Sequence, residues 1–291
     1  MPPKTNGAFT NAWLHLDRSG YPLFALASFY PIVVAVALFT SFTILFAGSH
    51  FAEVVRINCH GTSMNDEWFP SLSAVIGDLR PARLVFRFFI FWAAPAKLLS
   101  VMGYRYLYSN LNNHLAATSA LAPVRLTWRV VLCDVLFVLE LVRGVAAAGW
   151  IQVASSESMV LHQLAFVVYV ILSVVVAFLM VGLESRIAIP LSEPTMPPQP
   201  NGEIDLRPLH KSHAVKMAAS AAMLIELVLL ANFYLKHRRN CTPLSYSAFN
   251  FTELLFAVTM LVFESTAIVD FRHLRLRFEP SSARTGSLKG Y

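Results

Sequence analysis

Chemistry needs a nucleophile, a base or a set of metal ligands, and this chain offers few of them. Ser155, Ser156 and Glu157 stand just ahead of His162. A hydroxyl, a carboxylate and an imidazole at that spacing could supply a nucleophile and a general base. The same residues suit a helix start, with Ser155, Ser156 or Ser158 as N-cap and Glu157 beside the positive end of the dipole. A cap accounts for the serines and leaves His162 over, so catalysis and capping both stay open. Glu253 is the further catalytic candidate, and with Glu264 eleven residues on it puts two carboxylates within about 20° on one helical face. Ser71, Ser73, Arg83 and Arg87 combine hydroxyls and guanidinium groups that would suit a lipid phosphate headgroup. No His/Cys/carboxylate group has metal-ligand spacing. No Gly-rich phosphate loop, CxxC pair, HExxH or GxSxG occurs, so no metal and no cofactor are expected.

The elements that must position these residues are long apolar stretches. AVILMFWYC make up 56% of the 291 residues and DEKR only 14%, against about 25% charged in a soluble domain. That balance excludes disordered, collagenous and nucleic-acid-binding classes, and argues against an ordinary water-soluble enzyme. A bilayer core of about 30 Å takes about 20 apolar residues as helix. Six stretches qualify, at about 23–47, 84–106, 130–151, 160–183, 214–235 and 249–271. The expected fold is therefore all-α, a polytopic integral membrane protein of six transmembrane helices. A transmembrane domain over 23–271 follows a segment of 22 residues and precedes a basic tail at 272–291. The first stretch is too long for a signal-peptide core and is read as a retained span. The connections at 48–83 and 109–129 are polar, 152–159 is a tight turn, and 184–213 reads as a proline-rich flexible linker.

Basic residues set the orientation. They gather before the first span (Lys4, Arg18), in the second loop (Arg105, Arg125, Arg129), in the fourth (Arg186, Arg207, Lys211, Lys216) and in the tail. Both termini are therefore expected in the cytosol, and the first, third and fifth loops in the lumen or exterior. The net charge of +6 follows from this topology and calls for no nucleic-acid partner. Cys59 and Cys241 fall in the non-cytosolic loops, where a disulfide can persist, while Cys133 falls in a span. A Cys59–Cys241 bridge would staple the first two spans to the last two; two unrelated thiols are the alternative. Asn240 and Asn250 begin glycosylation patterns that hug the membrane, and neither is expected to be modified.

Charges within spans cost about 2.5–3.5 kcal/mol each on the insertion scale and call for partners. Glu140 and Arg143 are three apart and can pair on one helix. Arg87 lies at a depth similar to Glu253, which predicts a pair across the bundle. A luminal Arg also suits a phosphate headgroup. His213 and the other cytosolic-side histidines are expected to be solvated, and His237 to lie in a luminal loop.

Several segments carry a family likeness. Cys59, then Pro70-Ser71-Leu72-Ser73-Ala74-Val75-Ile76-Gly77, then Pro81-Ala82-Arg83-Leu84-Val85-Phe86-Arg87 resemble the family of post-GPI attachment to proteins factor 2. Its wider group takes in the Frag1, DRAM and Sfk1 proteins and the N-terminal half of the yeast protein Cwh43. Ser155-Ser156-Glu157 with His162 and Phe166 resembles the family's third luminal turn. Lys236-His237 before Cys241, then Glu253, then Asp270-Phe271 resembles its fifth loop and last span. Family members can carry a His where Glu264 stands. The resemblance implies a Golgi membrane protein, with the endoplasmic reticulum as a second location, that acts in lipid remodelling of glycosylphosphatidylinositol (GPI) anchors. The step implied is fatty-acid reacylation, with GPI-anchored proteins, membrane phospholipid and a partner remodelling enzyme as partners. It leaves two roles open, an acyltransferase-like activity on lyso-GPI and a non-enzymatic lipid-binding or regulatory role.

Overall fold

A computed structural model describes residues 14–15, 21–48, 57–59, 62–64, 67–118, 123–191, 207–272 and 274–276. Six long helices carry the fold: α1 (Leu23–Ala47), α3 (Arg80–Thr118), α4 (Pro123–Gln152), α5 (Met159–Leu191), α6 (Arg207–Asn240) and α7 (Ser245–Ser265), with a final turn, α8 (Ala267–Asp270). A short helix, α2 (Leu72–Gly77), precedes α3. Each long helix packs on the next, and α7 and α8 return to α1 to close the bundle. Isolated helices gain no hydrophobic driving force in lipid, so this closure is held by close packing and by polar contacts between helices. Gly103 allows one such close approach: a Cβ there would lie 2.9 Å from Leu23 Cδ2 and 3.0 Å from Phe271 Cζ.

Among the described residues five segments are long and apolar enough to cross a bilayer: Leu23–Ala47, Arg80–Asn112, Met159–Arg186, His210–Asn240 and Ser245–Asp270. Large apolar side chains such as Phe39, Phe91, Val145 and Val160 stand exposed on the outside, as a lipid-facing surface requires. The chain is a multi-pass membrane protein. The remaining long helix, α4, carries Asp134, Glu140 and Arg143.

Short pairings close the two ends. Strands β1 (Leu14–His15) and β2 (Tyr21–Pro22) both pair antiparallel with β5 (Arg275–Leu276), so the first and last described segments meet at one end, the terminal end. Strands β3 (Ile57–Cys59) and β4 (Thr62–Met64) form a hairpin in the connection between α1 and α2. That connection, the α4–α5 turn and the α6–α7 turn make the opposite, loop end. Composition, read at the scale of whole spans, gave no sign of these two- and three-residue strands.

The helices outrun the apolar stretches. The loop expected at 109–129 is mostly helix, since α3 continues to Thr118 and α4 starts at Pro123. The linker expected at 184–213 is shortened from both sides by α5 and α6. Hydropathy marks where a bilayer can end, whereas a helix stops only where its backbone hydrogen bonds stop. Pro208 sits in the first turn of α6, where its missing N–H costs no bond. The prolines at 194–200 lie outside the described residues.

Candidate functional site

At the loop end the chain folds back into the mouth of the bundle. Leu72, Val75 and Ile76 of α2 are buried against α1, α3 and α4 in a core with Phe86, Trp150 and Ile151. The polar side of this plug is stitched to α7 in four steps. Glu67 accepts hydrogen bonds from the backbone N–H groups of Tyr246 and Ser247, the latter at 2.6 Å. It thereby satisfies the start of α7, whose own N-cap position, Leu244, has no polar side chain. Ser247 Oγ accepts from the N–H groups of Trp68 (2.8 Å) and Phe69 (3.1 Å). Asn250, buried, donates from Nδ2 to the Phe69 carbonyl at 2.9 Å. Glu253, 3% exposed, accepts from Ser73 Oγ (2.9 Å), from Leu72 N–H (3.1 Å) and from Ser71 Oγ (3.4 Å). Trp150 Nε1 donates to Ser73 Oγ at 3.1 Å.

Ser71, Ser73 and Glu253 are therefore brought together, but as a clasp. Ser71 is also the N-cap of α2, and Glu253 binds the same helix start with its carboxylate. The Arg87–Glu253 pair predicted from depth is not formed. Arg87 donates from Nε to the Ile151 carbonyl at 3.2 Å and from Nη2 to the Gln152 carbonyl. These are unsatisfied acceptors at the end of α4, and a cation is favoured at that end of the dipole. Depth fixes height along a bundle, not the direction a side chain faces.

The α4–α5 turn forms the second half of the site. Ser155 and Ser156 donate to Asp78 at 2.6 Å each. Glu157 takes a hydrogen bond from Arg83 and one from Ala154 N–H (3.0 Å). The Arg83 bond first, and the Ala154 N–H next, hold the Glu157 carboxyl below its usual value. Ser158 stands as the cap of α5, 3.5 Å from Leu161 N. The serines and Glu157 thus do not reach His162 as a triad. His162 itself is only 5% exposed, and its Nδ1 lies 2.7 Å from the Val153 carbonyl. A carbonyl can only accept, so Nδ1 carries the proton, and in the neutral ring Nε2 carries the lone pair. Among the described residues no hydrogen bond occupies Nε2. An imidazole so oriented can take a proton from a hydroxyl presented at the mouth of the turn.

Cys241 is disulfide-bonded and Cys133 is free and buried. The Cys59 side chain lies outside the described residues. Cys241 and Leu244 both take a positive φ, 46° and 61°, as the short α6–α7 turn demands of its backbone.

Two ion clusters lie deeper. In the middle, Lys97 of α3 donates to both oxygens of Glu264 at 2.6 Å, and Arg143 of α4 donates to Glu264 and to Glu140, each at 2.6 Å. The predicted Glu140–Arg143 pair is thus half of a neutral tetrad joining α3, α4 and α7. At the terminal end Lys216, fully buried, donates to Glu184 and Asp270. Tyr108 bonds Glu184 at 2.7 Å and Tyr104 bonds Asp270 at 2.6 Å. Contrary to expectation, His213 is buried, 3.2 Å from Glu184 and 3.2 Å from Ser185. His237 is a buried residue of α6 rather than a loop residue. Lys216 likewise serves the bundle interior rather than a loop. A signal was present: Tyr104 and Tyr108, like Ser212 and Lys216, are spaced four apart on one helical face. Among the described residues no group of three or more His, Cys, Asp or Glu could hold a metal ion.

The chain matches the family described as the Frag1/DRAM/Sfk1/Cwh43P N-terminal domain over residues 26–274. Protein cwh43 of Schizosaccharomyces pombe is 25% identical over 250 residues, which are 86% of this chain and 20% of that protein. The chain thus spans about a fifth of the length of that relative. No solved structure matches it. The matched region runs from α1 through the last helical turn, so it takes in the clasp, the turn with His162 and both ion clusters. The chain belongs to the Frag1/DRAM/Sfk1/Cwh43P N-terminal domain family.

Proposed function

We propose that the protein acts in lipid remodelling of GPI anchors, at the fatty-acid reacylation step, in the Golgi membrane and secondarily in the endoplasmic reticulum. In this account the six long helices all span, both termini are cytosolic, and the loop end is luminal, where the GPI headgroup and its protein lie. Support for α4 as a span comes from its 30 residues, its place between α3 and α5, and the inward pairing of Glu140 and Arg143. The pairing of Cys241 with Cys59 across the luminal loops belongs to the same proposal.

The observation that carries the proposal is His162. It stands in the first turn of α5, in a segment that bears part of the family likeness, and its ring is oriented through Nδ1 by the Val153 carbonyl. In the reaction Nε2 takes the proton of the lyso-GPI hydroxyl as that oxygen attacks the carbonyl of an acyl donor. The new ester forms, the donor's bond to its acyl group breaks, and the proton passes to the departing group. GPI-anchored proteins and membrane phospholipid are the partners in this step. Cells lacking the protein should carry anchors short of the saturated chain and should accumulate lyso-GPI. Unchanged anchor lipids in those cells would refute the proposal.

A second reading has its own observation. Ser71, Ser73, Arg83, Arg87, Glu157 and Glu253 are all engaged within the protein, which suits a non-enzymatic protein that binds lipid and presents it to a remodelling enzyme. Purified protein in defined lipid, given lyso-GPI and an acyl donor, separates the two: turnover supports catalysis, and binding without turnover supports presentation.

A further inference from the structure

Among the described residues six acidic side chains are buried in the helices, and five of them are fully engaged. Glu140 and Glu264 face Lys97 and Arg143. Glu184 and Asp270 face Lys216. Glu253 has its two hydroxyls and a backbone N–H. The sixth, Glu226, stands near the middle of α6 and is 9% exposed. Its Oε1 accepts one hydrogen bond, from Thr259 Oγ1 of α7 at 2.8 Å. Its Oε2 is buried and has no partner.

We infer that Glu226 is a proton-binding site within the membrane, a carboxyl that carries its proton at neutral pH in the seam between α6 and α7. An ionised carboxylate in hydrocarbon needs a cation or several donors, and this one has a single hydroxyl. Among the described residues it enters no ion pair, and Thr259 is its hydrogen-bond partner. On its own helix the nearest charged groups are Lys216 and Lys236, each ten residues away, or about 15 Å along the axis, and the Tyr234 phenol is eight residues away. Lys216 is held by Glu184 and Asp270. On α7, Glu253 and Glu264 are committed to the clasp and to the tetrad, and on α5 Glu184 is committed to Lys216. Taking up a proton removes the charge and turns the unpartnered oxygen into a hydroxyl that can turn toward a weak acceptor. Ile225 and Val228 of α6 and Val258 and Val262 of α7, close in sequence to Glu226 and Thr259, are exposed on the outer surface.

A neutral acid in an apolar setting has a diagnostic reaction. Dicyclohexylcarbodiimide dissolves in the bilayer, and the acid O–H adds across one of its C=N bonds to give an O-acylisourea. An oxygen-to-nitrogen acyl shift then yields a stable N-acylurea. Nothing leaves and no further reagent is needed. Full-length protein in membranes at neutral pH should acquire this adduct at Glu226, located by peptide mass spectrometry, while Glu140, Glu264, Glu184 and Asp270 stay unmodified. Glu226→Gln should abolish the adduct. Thr259→Lys, which would bring an ammonium to the carboxyl, should reduce it to background. An unmodified Glu226 in the wild-type protein, or a Thr259→Lys protein labelled as strongly as wild type, would overturn the inference. The outcome does not depend on whether the loop end performs reacylation.

Discussion

Glu253 and Glu264 sit eleven residues apart on one helix and are held in opposite ways. Glu264 lies between two cations from two other helices, Lys97 and Arg143. Glu253 has no cation and is held by hydroxyls and a backbone N–H of a six-residue plug. The middle of the bundle is thus locked by charge, where a single missing partner leaves a stranded ion. The loop end is clasped by ordinary hydrogen bonds, each of modest net strength. Under the proposed lipid-remodelling role that gradient has a use: a fixed waist and a mouth that can loosen.

The comparison can be broken most severely at the waist. Arg143→Met leaves Glu140 and Glu264 with Lys97 alone, and removing one partner of a buried pair costs about 3–5 kcal/mol. Thermal unfolding of detergent-purified protein should show the loss, and yield from membranes should fall. A melting temperature equal to wild type would mean that the tetrad does not lock the waist.

The mouth should respond less. Glu253→Gln keeps the size but removes acceptor strength at a site with several donors, at a cost of about 1–3 kcal/mol. Its effect should be local, with faster amide exchange at Leu72 and in 67–73 and little change at the waist. Uniform loosening of the whole bundle would erase the distinction drawn between the two carboxylates. Ser73→Ala removes one bond to Glu253 and strands Trp150 Nε1, so a cost of about 0.5–1.5 kcal/mol is expected, read by chemical or thermal unfolding.

The smallest effect belongs to the exposed Arg83–Glu157 pair. The Glu157 carboxyl is held below its ordinary value of 4.5, so its folded state binds protons less readily than its unfolded state. Its contribution is fully present above that ordinary value and is lost as pH falls through the depressed one. Between pH 6 and 8 Glu157→Gln should differ from wild type by a constant amount; on acidification the two should converge.

Much of this organisation was legible in the sequence where a single helix determines it. Leu23–Ala47 is apolar on all sides and coincides with α1. Glu140 and Arg143 are one turn apart, and their pairing follows from helix geometry alone. The rest depends on how helices face one another. Lys97 of α3 meets Glu264 of α7, and Lys216 of α6 meets Glu184 of α5 and Asp270 of α8, partners that no spacing within one helix identifies. Arg87 failed as a partner for Glu253 because it turns toward the end of α4. His162 was singled out as the residue a cap does not explain; its Nδ1 bonds the Val153 carbonyl, and its role as a base belongs to the proposal.

The most direct test of the functional account is the lipid of GPI anchors in cells whose only copy of this protein is His162→Ala, compared with wild type at equal abundance in the Golgi. Anchors lacking the saturated chain, with lyso-GPI accumulating, are the predicted result. Normal saturated-chain content in the His162→Ala cells would contradict a catalytic loop end.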